Sequence, residues 1–312
     1  MKTKKEGLDL KMNGIIPLWK ECGMTSHDCV FKVRKLLHMK KVGHAGTLDP
    51  NVDGLLPICL GRGTKLVDLL HESNKTYVGE ITLGKATTTE DSDGDVIEEK
   101  DVVAPLSIDV IDQAMKEMEG EIIQIPPMYS AVKVNGKRLY QYARENIEVE
   151  RPQRQATIVQ FKRLSEPVYH EESQTQSWSF IVTCSKGTYV RTLAVDLGKK
   201  LGYPSYMSSL TRIESGGYKV KEAITLDKLA QHVEEGALDT VVQPLETVVR
   251  QLQCYDLTED EYRKVSNGVR LPKEMVQPEP TSYVAMMYQG RLIAIYEPKE
   301  KQLVLWRMIE VK

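Results

Sequence analysis

The run KTYVGEITLG, residues 75–84, alternates with a period of two, and no other stretch limits the fold as strongly. Tyr77, Gly79, Ile81 and Leu83 share one face, the mark of a strand packed on one side. Such a strand needs partners, and ATIVQFKRL and WSFIVTC are two further strand-like runs; GIIPLWK (14–20) is a shorter one. Helical periodicity falls among these runs without a regular beat. TSHDCVFKVRKLLHM (25–39) reads as a helix capped by Thr25 or Ser26, with Val30, Val33 and Leu37 on its apolar face. SIDVIDQAMKEMEG reads as a helix with Ser107 as N-cap and Gly120 just past its C-terminus. SKGTYVRTLAVDLGKKLG turns at Gly187 into a helix with Val190, Leu193, Ala194, Leu197 and Leu201 inward. Strands that do not alternate with helices argue for a mixed or antiparallel sheet in an α+β domain.

Beyond about residue 248 the texture changes. SYVAMMYQGRLIAIYEP (282–298) is two apolar runs around Gln289-Gly290, a hairpin, and KQLVLWRMI adds a strand. These short β elements predict a small barrel-like appendage over 248–312, after a main domain over 13–247. At 312 residues the chain exceeds a comfortable single core, in keeping with that division.

Composition excludes several classes. No run of eighteen apolar residues exists, so no membrane helix is expected, and the charged N-terminus has no signal-peptide core. Five scattered cysteines with no CxxC pair argue against disulfides and zinc and fit a reducing cytoplasm. Net charge is −2, but the charges are segregated. Residues 80–121 carry a net −10 and residues 133–163 a net +5. A second basic cluster comprises Lys32, Arg34, Lys35, Lys40 and Lys41. Such blocks can make a local basic surface for a polyanion, or they can simply solvate surface helices.

Motifs with their own chemistry are absent: no HExxH, no Walker spacing, no GxSxG. The six histidines show no shared ligand spacing. TTTEDSDGD resembles a calcium loop only superficially, because its glycine comes early and Val102 occupies the twelfth position; a solvated turn is the expectation. What remains is Asp49 in the tight turn GHAGTLDP, together with tyrosines beside bases. By local chemistry Asp49 reads as a turn residue. Tyrosines among lysines and arginines suit the stacking of unpaired RNA bases, although each alone reads as a core-edge residue.

Five blocks in order, NGIIPLWKECGMTSHD, GHAGTLDP with GLLPICLGRGTKL, KTYVGEITLGKATTTEDSDG, IPPMYSAVKVNGKRLYQYAR and SKGTYVRTLAVDLG, then SSLTR, resemble the bacterial TruB family of tRNA pseudouridine synthases. They cover roughly residues 13–217, and the β appendage is similar to the family's PUA-like C-terminal domain. Residues 1–12 are left as an N-terminal extension, expected to be flexible.

The resemblance implies conversion of uridine 55 in the tRNA T loop to pseudouridine by a cytoplasmic monomer. It implies no cofactor, metal or guide RNA, and an added capacity to assist tRNA folding. Asp49 matches the catalytic aspartate, Arg191 the arginine that pairs with it, and Tyr77 the tyrosine that stacks on the target base. Tyr189 and Leu210 match pocket-lining positions, His44 a residue packing on flipped nucleotides, and Lys20 a motif lysine near the substrate. Residues of about 124–155 would form an arm gripping the T stem through phosphates, with Lys133, Lys137, Arg138 and Arg144 as contacts. Two departures stand out: Trp19-Lys20-Glu21 replaces the common Asp-Lys-Pro, and Asn51-Val52-Asp53-Gly54 replaces a small-residue turn.

Overall fold

The computed structural model describes residues 12–310, so the expected N-terminal extension lies almost wholly outside the described residues. The chain forms two compact units. One is built from both chain ends, up to His71 and from Ser215 onward; the other is Glu72–Glu214.

In the first unit, Gly14–Lys20 pairs antiparallel with Asp53–Leu60, from Gly14 opposite Leu60 to Lys20 opposite Gly54. Val42–His44 also pairs with Asp53–Leu60, setting His44 opposite Ile58. The helix Ser26–Leu37 starts on a capping box in which the Thr25 hydroxyl accepts from the Asp28 N–H and the Asp28 carboxylate accepts from the Thr25 N–H. Thr25, not Ser26, is therefore the cap. Cys29, Val30, Val33 and Leu37 pack on Ile16, Leu18, Leu56 and Ile58, all buried.

The C-terminal β region belongs to this same unit. Its five strands run in the order Gln253–Asp256, Val284–Tyr288, Arg291–Lys299, Gln302–Met308, Leu271–Pro272. The first pair is parallel and the others are antiparallel, giving the small β-rich, PUA-like body expected. The predicted hairpin turns at Gln289 (φ 49°) and Gly290 (φ 73°), the two left-handed positions that a tight two-residue turn requires. Ala285, Leu292, Ile295 and Ile309 share one buried cluster with Ile15, Leu55 and Leu66. Lys65 seals it by donating to the Met308 carbonyl at 2.8 Å.

The second unit is a sheet in the order Ser205–Ser215, Lys75–Leu83, Thr175–Cys184, Arg154–Arg163, Gly120–Gln124. Lys75–Leu83, Thr175–Cys184, Arg154–Arg163 and Gly120–Gln124 pair antiparallel in turn. Ile81 and Leu83 bury with Trp178, Phe180 and Val182 against Ile111 and Met115 of the helix Ile108–Lys116 and Leu193 and Leu197 of the helix Val190–Leu201. Phe161 and Phe180 meet edge to face at 5.6 Å. Gly79 completes the period-two face as a bare backbone, because a Cβ there would lie 2.4 Å from the Ser209 carbonyl oxygen. The helix predicted to run up to Gly120 ends earlier, at Lys116. Gly120, at φ 104°, opens the following strand instead.

The acidic turn is a correction. TTTEDSDGD was expected to be solvated, and Thr88, Ser92, Asp93 and Asp95 are exposed, yet Glu90 and Asp91 are half-buried and bound into the unit. The Thr87 hydroxyl donates to the Asp91 carbonyl at 2.6 Å and the Thr89 hydroxyl to the Asp91 carboxylate at 2.5 Å. The Thr192 hydroxyl donates to Glu90 at 2.8 Å, and the Met207 N–H to the Glu90 carbonyl at 3.1 Å. A run of acids reads as solvent-facing by composition, but the Thr87 and Thr89 hydroxyls within the turn and Thr192 and Arg191 on a distant helix hold these two acids.

Candidate active site

Asp49 is exposed on a turn whose backbone is held from both sides. On one side, buried Ser26 brackets Leu48: the Leu48 N–H donates to the Ser26 hydroxyl at 2.9 Å, and that hydroxyl donates to the Leu48 carbonyl at 3.3 Å. On the other side, the Pro50 carbonyl accepts from the Lys20 ammonium at 2.9 Å and from the Gly23 N–H at 3.0 Å. The turn closes on itself through the Val52 N–H and the Asp49 carbonyl at 3.1 Å. Gly46, at φ 92°, supplies the left-handed residue that starts it.

Lys20 is fully buried. Its remaining protons go to the carbonyls of Glu21 at 3.0 Å and Met24 at 2.8 Å. An ammonium has three donors, and here all three are committed to backbone. Burial pulls its pKa down, opposed by the negative charge that Cys29, Cys22, Asp53 and Asp49 would each place nearby. Lys20, expected near the substrate, braces the Asp49 turn through the Pro50 carbonyl. His44, half-buried, ends the short strand that leads into the same turn.

In the second unit, Arg191 lies in the first turn of the helix Val190–Leu201 and is 5% exposed. Nη1 donates to the Thr89 carbonyl at 2.9 Å and sits 3.6 Å from the Asp91 carboxylate; Nη2 donates to the Tyr129 carbonyl at 3.0 Å. Burial pushes the neighbouring Glu90 carboxyl up in pKa, against the Thr192 hydrogen bond and the Arg191 charge. Tyr189 is the helix N-cap, and its backbone is held by the Gln124 side chain. Tyr77 stands opposite Val182, half-buried beside the core, where Leu210 also packs.

The arm begins as a hairpin, with Lys133–Val134 pairing Lys137–Arg138 around Asn135-Gly136. A helix, Leu139–Arg144, follows. Arg138 and Arg144 flank the Tyr140 ring at 5.9 and 5.4 Å, and Lys133 is exposed. Lys137 differs from these three: it is ion-paired with Glu145 and lies 4.8 Å over the Tyr142 ring. Among the described residues, no group of three metal-ligating side chains comes together, and no helix is long and apolar enough to cross a membrane.

Sequence reasoning missed Ser26, Glu90, Asp91 and Gln124. For Ser26 the only signal was its place beside the helix cap. For the others there was none, because the partners that tie them to the rest of the unit, Thr192, Arg191 and Tyr189, are distant in the chain.

Residues 34–190 match the model of the TruB family pseudouridylate synthase N-terminal domain, and residues 191–250 that of the tRNA pseudouridylate synthase B C-terminal domain. The chain belongs to the TruB family of pseudouridylate synthases. One TruB relative, the tRNA pseudouridine synthase B of Latilactobacillus sakei, is 52% identical over 297 residues, covering 95% of this chain and 96% of its own. The protein of the same description from Bacillus pumilus is 52% identical over 288 residues, covering 91% and 93%. Among solved structures, the TruB chain is similar to one in the crystal structure of a Cbf5-Nop10-Gar1 complex, with a TM-score of 0.73 and 28% identity over 96% of this chain and 85% of that one. It is also similar to one in an H/ACA RNP bound to a substrate RNA containing 2'-deoxyuridine, with a TM-score of 0.71 and 26% identity over 95% and 85%. Asp49, His44 and Tyr77 lie within the N-terminal TruB match, Arg191 and Leu210 within the C-terminal one, while Lys20 and Ser26 precede both.

Proposed function

We propose that this protein isomerises uridine 55 in the T loop of tRNA to pseudouridine, acting alone and with Asp49 as the catalyst. The reaction breaks the bond between N1 and the ribose C1′ and joins C1′ to C5. C5 loses its proton and N1 gains one, so the step is redox-neutral and calls for no cofactor. An ionised carboxylate can open it by attacking carbon or by taking a proton from the sugar. Reaching N1 requires flipping the base from its stack, at a cost of a few kcal/mol. Stacking on Tyr77 and filling of the vacated space by His44 would offset that cost. Arg191 supplies fixed positive charge, Tyr189 and Leu210 line the base, and the arm residues Lys133, Arg138 and Arg144 hold phosphates.

The observation that carries this reading is the Asp49 turn. Ser26 and Lys20 pin the residues on both sides of an exposed carboxylate, which is how a reactive group is kept in place without being buried. The test uses purified protein and an unmodified T-stem-loop transcript with no other RNA or protein. The transcript should be converted, and Asp49→Asn should abolish conversion with tRNA affinity within about threefold of the parent. Full activity of that variant would remove Asp49 from the chemistry. Failure of the parent on the bare transcript would mean that a guide or partner is needed.

A further inference from the structure

Gln124 ends the strand Gly120–Gln124 and is 2% exposed. An amide is buried this deeply at little cost only when its donor and acceptor are both used. Its Nε2 donates to the Tyr189 carbonyl at 3.1 Å, and the Tyr189 N–H donates to its Oε1 at 3.0 Å. The two bonds close a ring like that between neighbouring strands, with a side chain in place of one strand. Tyr189 caps the helix Val190–Leu201 without using its own side chain as a cap, so the Gln124 amide fixes where that helix begins.

The consequences reach the arm. The segment after Gln124 leads to Tyr129, whose carbonyl takes the Nη2 donor of Arg191 at 3.0 Å. Both ends of the 124–129 segment are therefore tied to the first turn of one helix. Arg151, on the returning limb of the arm, donates to the Pro126 carbonyl at 3.1 Å within that same segment. The base of the basic arm and the two residues assigned to the substrate thus stand on a single hydrogen-bonded seat.

We propose that Gln124 is a positioning residue for the isomerisation: its amide sets Tyr189, and through the helix start Arg191, relative to the base of the RNA-gripping arm. The inference rests on the roles given to Tyr189 and Arg191 under Proposed function. A displacement of the order of 1 Å at a reacting centre costs about a hundredfold in rate, whereas the arm's phosphate contacts do not depend on it.

Two variants test it. Gln124→Met keeps the bulk and removes both hydrogen bonds. Gln124→Glu keeps the acceptor and removes the donor until the buried carboxyl is protonated, at a pH raised by its burial. Single-turnover pseudouridine formation on full-length tRNA should fall roughly ten- to a hundredfold in Gln124→Met, with tRNA affinity within about threefold of the parent. The rate of Gln124→Glu relative to the parent should recover as pH is lowered from 8 to 6, because protonation restores the donor. A parent-like rate in Gln124→Met, or loss of affinity in step with rate, would overturn the proposal. If Gln124→Met does not fold, the Gln124→Glu ratio decides, and a ratio unchanged with pH counts against it. An inactive parent would instead sink the functional reading itself, so the two failures are distinct.

Discussion

The Lys20 ammonium donates to the Pro50 carbonyl at 2.9 Å, one residue past Asp49 and 30 residues away in sequence. A buried cation with all three protons on carbonyls is a structural tie. It joins the end of the first strand to the turn that presents the carboxylate, while Ser26 holds the residue before that carboxylate. The turn that presents Asp49 is thereby fixed by its neighbours' backbone on both sides.

Replacing this tie should be costly for both stability and rate. Lys20→Met keeps the apolar stem, takes the ammonium donor from the Glu21 and Met24 carbonyls and leaves the Pro50 carbonyl with the Gly23 N–H alone. We expect a loss of on the order of 3 kcal/mol in urea unfolding. Single-turnover pseudouridine formation should fall by about tenfold or more, with tRNA affinity little changed. A variant with parental stability would show that the Glu21 and Met24 carbonyls find other donors.

Lys75 gives a pH prediction. It is 5% exposed, and burial, helped by the nearby Arg212 cation, brings its ammonium down to about 8. Between that value and the ordinary 10.5 the unfolded chain holds a proton that the folded chain has released, so stability from this group rises with pH. In Lys75→Met that rise disappears. The stability of the parent relative to the variant should therefore grow from pH 8 to pH 10 by on the order of 2 kcal/mol, read from denaturant unfolding. An equal difference at both ends would mean that the ammonium stays charged in the fold.

The arm prediction concerns salt. Arg138 and Arg144 flank Tyr140 and carry no carboxylate partner in the ion pairs of the arm, whereas Lys137 already faces Glu145. Arg138→Glu with Arg144→Glu should weaken tRNA binding and reduce the slope of log Kd against log salt by roughly 1 to 2. Lys137→Glu alone should also weaken binding, since it sets two carboxylates side by side. Filter binding between low and moderate salt measures both, and a slope unchanged in the double variant would place the phosphate contacts elsewhere.

Much of the frame could be read without coordinates, wherever a pattern is local. Ile81 and Leu83 bury as their period-two face requires, and Gln289-Gly290 turns because its two residues tolerate left-handed backbone. The inward face of the helix Val190–Leu201 follows its spacing. The supports of the candidate site could not be read this way. Lys20 closes an apolar strand and looks like a solvent-facing end, and Glu90 and Asp91 sit in a run of acids. The amide of Gln124 finds its partner 65 residues later. Each of these polar groups has at least one partner brought from afar, Pro50 for Lys20, Thr192 for Glu90, Arg191 for Asp91 and Tyr189 for Gln124, and no short window of sequence contains those pairs. Asp49 itself looked like a turn residue, and its turn is indeed fixed; its assignment as catalyst came from resemblance in distant blocks.

The unit carrying Asp49 is closed by the last strands of the chain, with Ile15, Leu55 and Leu66 packed against Leu292, Ile295 and Ile309. On the ribosome, therefore, Glu72–Glu214 has all its residues before Leu292, Ile295 and Ile309 are made, while the body that holds the carboxylate waits for them. A message cut short just before Leu292 would yield a chain with every proposed catalytic residue present and Ile15, Leu55 and Leu66 without that cover. Such a chain is a substrate for quality control, not a shorter enzyme.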